Sequence, residues 1–86
     1  MFTRQFIIKN RTGLHARPAG QLATLCKSIP DDIRIIAGKD SINPKGILAI
    51  LTAGLKMGTA ITIEVEGATE QESGKKIITF LDGLTE

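Results

Sequence analysis

The one histidine of this 86-residue chain, His15, lies two residues before Arg17 in the run Gly13-Leu14-His15-Ala16-Arg17-Pro18. An imidazole nitrogen is a nucleophile near neutral pH, and a planar guanidinium suits phosphate oxygens, so the pair has the parts of a phosphoryl site. The residues after Arg17 sharpen that reading. Ala19, Leu22, Ala23 and Cys26 recur at i, i+3, i+4 and i+7, which predicts an amphipathic helix beginning near Ala16. Pro18 falls in its first turn, where a missing N–H does no harm. The amides of a first turn point outward with a partial positive charge and accept anions. Nucleophile, guanidinium and helix terminus thus converge on one phosphoryl group. On chemistry alone two readings stay open: a solvated histidine on a basic surface, and a site that carries a phosphoryl group. No second acid or base accompanies His15, which argues against a self-contained hydrolase. A group loaded and unloaded by other proteins needs no base of its own.

The rest of the chain must position that helix start. Phe2 to Lys9 alternates, with Phe2, Phe6 and Ile8 on one face and Arg4 between them, and predicts a strand with one buried side. Asn10-Arg11-Thr12-Gly13 is turn chemistry. Ser28-Ile29-Pro30-Asp31-Asp32 ends the first helix, Ile33 to Ala37 is a second strand, and Gly38-Lys39-Asp40 turns into a short third strand around Ser41-Ile42-Asn43. Pro44 closes it. Ile47 to Thr52 is a short apolar helix, with Gly46 as N-cap and Gly54 near the C-cap. From Ala60 to Glu66, Ile61, Ile63 and Val65 point one way while Thr62, Glu64 and Glu66 point the other. Thr69-Glu70-Gln71-Glu72 has capping-box spacing, ahead of a final helix expected to bury Ile77, Phe80, Leu81 and Leu84. Gly74 inside that helix suits close packing on the sheet. The order β-α-β-β-α-β-α predicts one α+β domain over residues 1–86, with an antiparallel or mixed sheet, helices on one face, and a polar second face open to solvent.

Composition excludes several classes. Hydrophobic residues are 42% and charged residues 23%, an ordinary globular mix rather than a disordered or collagen-like one. Trp and Tyr are absent and Phe occurs three times, so the core is aliphatic. The same lack of stacking rings, with a net charge of only +2, argues against nucleic acid as the partner. One cysteine, Cys26, allows no internal disulfide, and with one histidine it makes no soft-ligand metal site, so no metal or other cofactor is expected. The chain has no run of ~18 apolar residues and no signal-like start, so it is expected to be cytoplasmic and not inserted in a membrane. Charge is unevenly distributed. Residues 1–30 carry Arg4, Lys9, Arg11, Arg17 and Lys27 and no acid, whereas the remainder carries six bases and nine acids. A basic first third points to an acidic partner or an anionic ligand there.

In Gly13-Leu14-His15-Ala16-Arg17-Pro18-Ala19, and in Ile50-Leu51-Thr52-Ala53-Gly54-Leu55 and Gly58 farther along, the chain resembles HPr, the histidine-containing phosphocarrier family of the bacterial phosphoenolpyruvate:sugar phosphotransferase system. The resemblance covers essentially the whole chain. It implies an open-faced β-sandwich, a four-stranded antiparallel sheet with three helices on one face. It implies that His15 accepts a phosphoryl group on Nδ1 from enzyme I, that Arg17 and the first-turn amides at Ala16 and Arg17 hold it, and that an enzyme IIA removes it. The protein would then be a carrier rather than an enzyme, and a monomer is expected. Partners of this family dock around the histidine and the short second helix, which here brings in Gly20, Thr24 and Lys27, and Ile47, Leu48 and Leu51 on one side of that helix, leaving Ile50 for the core. Many members have a serine where this chain has Gly46, and a kinase modifies it for catabolite control; Gly46 has no hydroxyl to modify. That departure keeps an alternative in view, a regulatory or system-dedicated relative acting by docking. Retention of both His15 and Arg17 favours the carrier, because docking alone needs neither.

Overall fold

The expected periodicities become seven elements in the computed structural model, which describes residues 1–85: strand β1 (Phe2–Ile7), helix α1 (Ala16–Lys27), strands β2 (Asp32–Ala37) and β3 (Asp40–Ile42), helix α2 (Ile47–Ala53), strand β4 (Ala60–Glu66) and helix α3 (Glu70–Asp82). The strands form one sheet in the order β1-β4-β2-β3, and every neighbouring pair is antiparallel. β1 and β2 therefore run parallel to each other with β4 inserted between them. Alternation in β4 decides which face is buried. Ile61, Ile63 and Val65 are inside, in register with Phe6, Arg4 and Phe2 of β1, and Ile63 and Val65 face Ile35 and Ile33 of β2. Each fully buried isoleucine of this set contributes about 1.5–3 kcal/mol relative to exposure. Arg4 sits at the sheet margin, its guanidinium 5.9 Å from the centre of the Phe2 ring. On the outer face the Arg34 Nε donates to Glu64 Oε1 at 3.2 Å, between directly opposed residues of β2 and β4.

The helices close the inner face. α1 buries Pro18, Ala19, Leu22, Ala23 and Cys26, and α3 buries Ser73, Gly74, Ile77 and Leu81. α2 buries only Ile50. Their apolar residues join those of the sheet in one cluster. Gly74 is required by that packing, because a Cβ there would collide with the Phe2 ring.

Three expectations need correction. The capping box at Thr69 does not form. Thr69 is the N-cap residue of α3, but its hydroxyl donates to Asp31 Oδ2 at 2.6 Å instead of capping the helix, and its amide also faces Asp31. Glu70, not Glu72, receives a backbone amide, that of Gly67, at 3.2 Å. A buried carboxylate across the chain outcompetes the helix's own first turn for the hydroxyl, because burial demands a partner. Second, Phe80 and Leu84 are only half-buried, and Leu84 lies past the end of α3. Third, the third strand starts at Asp40 and stops at Ile42, one residue earlier than its expected core, because its pairing with β2 runs from Ala37↔Asp40 to Ile35↔Ile42.

Candidate functional site

Two anchors fix the chain on either side of His15. After β1, Asn10 closes a turn: the Gly13 amide donates to the Asn10 carbonyl at 3.2 Å, and the Asn10 Nδ2 donates to the Gly13 carbonyl at 2.9 Å. Gly13 has φ +63°, and a Cβ on it would collide with the Leu55 carbonyl. That close approach lets the Leu14 amide donate to the Leu55 carbonyl at 2.7 Å, while the Leu14 side chain fills the core. The second anchor is the buried pair Pro18 and Ala19.

Between the anchors the chain is exposed. His15 is the N-cap residue of α1, in extended conformation, and Ala16 and Arg17 are exposed after it. No side chain caps this N-terminus, and no acid occupies its first turn. Ala16 takes φ +45°, the one non-glycine residue with positive φ among those described. That region costs a residue with a Cβ about 1–2 kcal/mol. Such a conformation persists only where its surroundings determine it, and here the Asn10 turn, the Leu14–Leu55 bond and the buried Pro18 and Ala19 do so.

The interface residues expected from the sequence come together in part. Arg17, Gly20 and Thr24 line one shallow depression along α1. The Thr24 hydroxyl donates back to the Gly20 carbonyl at 3.0 Å, and Lys27 is exposed in the last turn. A Cβ on Gly20 would lie 3.6 Å from Ile47 Cδ1, so the two helices meet at that point. Ile47 is 39% exposed and Leu48 74% exposed, while Ile50 is fully buried as expected. The three apolar residues do not present one even surface. Leu51 is half-buried against the core, and Leu48 also lines a groove of about 470 Å³ with Asp40, Ser41, Ile42 and Asn43. In this seven-residue helix Ile50 is the one fully buried side chain, and Leu51 and Ala53 pack partly buried against the core. Gly46 is extended, and a Cβ there would sit 3.9 Å from its nearest neighbours, so the site of the absent serine has room for one.

Two residues important to the site escaped the sequence reading. Asn10 stood there only as one member of a turn, and Leu55 only as part of a matching pattern. Turn chemistry signalled the first; nothing local could signal the second, whose role depends on a contact with a distant part of the chain. Cys26 lies on the buried face of α1, and burial pushes its thiol up to about 12, which makes it an unreactive core side chain.

Comparison with known proteins gives the same outline. Residues 2–82 match the family model PTS-HPr, described as the PTS HPr component phosphorylation site. The chain is 32% identical over 84 residues to the phosphocarrier protein HPr of Vibrio cholerae, covering 98% of this chain and 99% of that one. It is 38% identical over 73 residues to that of Buchnera aphidicola, covering 85% and 86% of the two chains. Among solved structures, HPr-C-His from Thermoanaerobacter tengcongensis superposes with a TM-score of 0.91 at 29% identity, covering 95% of this chain and 92% of that one.

Proposed function

The chain belongs to the PTS HPr phosphocarrier family, and from that premise we propose that it receives a phosphoryl group on His15 from enzyme I and delivers it to an enzyme IIA. The observation that carries the reading is His15 itself: an exposed imidazole at an uncapped helix N-terminus, with Arg17 two residues on. In loading, the lone pair of the His15 Nδ1 attacks phosphorus, and a P–N bond forms while the bond from phosphorus to the donor breaks. The donor group leaves with that electron pair. The guanidinium of Arg17 and the first-turn amides at Ala16 and Arg17 neutralise the phosphoryl oxygens during both transfers. Unloading reverses the roles. A carrier must bind the group moderately, since tight ground-state binding would slow release. The exposed setting suits this, because water screens the charges when no partner covers them.

Docking in this reading uses Gly20, Thr24 and Lys27 of α1 with Ile47, Leu48 and Leu51 of α2. Apolar contact comes from α2, and the basic residues of α1 meet acidic partner surfaces. The proposal takes it to act as a monomer in the cytoplasm, with His15, Arg17 and the docking residues all on one chain. Among the described residues no helix is long and apolar enough to cross a membrane.

The test is a reconstituted relay of phosphoenolpyruvate, enzyme I, this protein and an enzyme IIA. Phosphoryl groups should reach enzyme IIA only when this protein is present, and His15→Ala should stop them while the circular dichroism spectrum stays native. Transfer through the His15→Ala protein would refute the assignment.

A further inference from the structure

We propose that Asn10 is a positioning residue for His15, its side-chain amide holding the Gly13–Ala16 loop in the conformation that transfers phosphate; the inference rests on the carrier reading above. Asn10 is 5% exposed, and a buried amide must find partners. It finds one in the Gly13 carbonyl, while its backbone carbonyl takes the Gly13 amide, so side chain and backbone of Asn10 both grip Gly13. Gly13 is the residue that approaches Leu55, and the next residue, Leu14, donates to Leu55. His15 is next, and then Ala16 with its positive φ. The chain of contacts is short and continuous: Asn10 to Gly13, Leu14 to Leu55, then the histidine. Removing the first link leaves Gly13, with its wide backbone freedom, to choose other conformations. The disfavoured φ of Ala16 then loses one of its determinants. Asn10 makes no use of the docking surface on α1 and α2, so its loss should act on the transfer step and not on partner binding. Misplacement of a reacting group by a fraction of an ångström is enough to slow an in-line transfer.

Two variants and two readouts test this. Asn10→Ala removes the side-chain bond, and Asn10→Asp keeps the volume but cannot donate to Gly13. Steady-state transfer from phosphorylated enzyme I should show the rate at saturation falling about five- to tenfold in both, with KM within about twofold of the unaltered protein. Amide hydrogen exchange, which needs no partner, should show Leu14 losing protection in both variants while Ile63 in the central strand keeps it. Unchanged transfer in Asn10→Asp would overturn the proposal, as would a KM that rises in step with the fall in rate. Loss of protection at Ile63 together with Leu14 would also overturn it, since Asn10 would then support the fold at large. If the unaltered protein accepts no phosphoryl group, the carrier reading fails, and the exchange measurement alone then decides whether Asn10 holds the loop.

Discussion

In the proposed carrier role, loading His15 would bring three phosphoryl oxygens beside an imidazole, and Arg17 is the cation nearest to it along the chain. A guanidinium that acts on the migrating group rather than on the partner should affect rate more than affinity. Arg17→Ala is therefore expected to lower the saturating transfer rate by roughly tenfold or more while KM for enzyme I changes only a few-fold. Equal losses in both would make Arg17 a docking residue. Cys26 supplies a contrasting case. Its thiol is buried on α1 and pushed up to about 12, so iodoacetamide at neutral pH should leave it unlabelled in the folded protein and label it fully in denaturant, read by intact mass. Rapid labelling of the folded protein would mean that α1 opens. The placement of His15 and Arg17 at the start of α1, and of Cys26 on its buried face, was legible from spacing along one helix. Asn10 was legible only as turn chemistry, and Leu55 was not, because its carbonyl meets the Leu14 amide only once the chain has brought residue 14 beside residue 55.

Elements with a strong period declared themselves: α1 and β4 have the bounds their patterns predicted. Sequence order could not reveal that β4 lies between β1 and β2, since strand neighbours are fixed by burial on the sheet and not by succession. Nor could it show that Asp31 would draw the Thr69 hydroxyl away from the start of α3. Gly74 joins the two kinds of argument. Alanine is the better helix former by about 1 kcal/mol, yet its Cβ would strike the Phe2 ring across the helix–sheet contact. Overpacking of this kind costs about 1–3 kcal/mol, so Gly74→Ala should lower the urea midpoint with an unchanged m-value. A raised midpoint would mean that Phe2 moves aside freely. On α2, the exposure of Ile47 makes a charge tolerable to the fold. Ile47→Asp is expected to weaken binding to enzyme I, measured by calorimetry, with little change in thermal midpoint; unfolding would reassign Ile47 to the core.

Charge is distributed over the molecule so that the first thirty residues, including α1, are basic, while the acids lie in the remainder of the chain. If the partners are acidic, as the carrier proposal has it, attraction through such a region should fall with salt. One acid has a structural duty. The Thr69 hydroxyl, above all, holds the Asp31 carboxyl below its ordinary value of 3.8, aided by the Thr69 amide, Ser73 and the charge of Lys45 and opposed by burial. A carboxylate depressed on folding adds stability that is full above its unfolded value and is lost as pH falls through the folded one. Thr69→Val should therefore flatten the decline in stability as pH falls below about 5, followed by urea unfolding at each pH. An identical decline in both proteins would remove Asp31 from the acid response. At the scale of the whole molecule, our proposal is that the fold presents one loadable histidine. That claim is tested most directly by incubating the protein with phosphoenolpyruvate, magnesium and enzyme I and weighing it intact. The expected result is the mass of one added phosphoryl group, labile in acid, stable in alkali and mapped to His15; no added mass with a demonstrably active enzyme I, or a group mapped to any other residue, would contradict it.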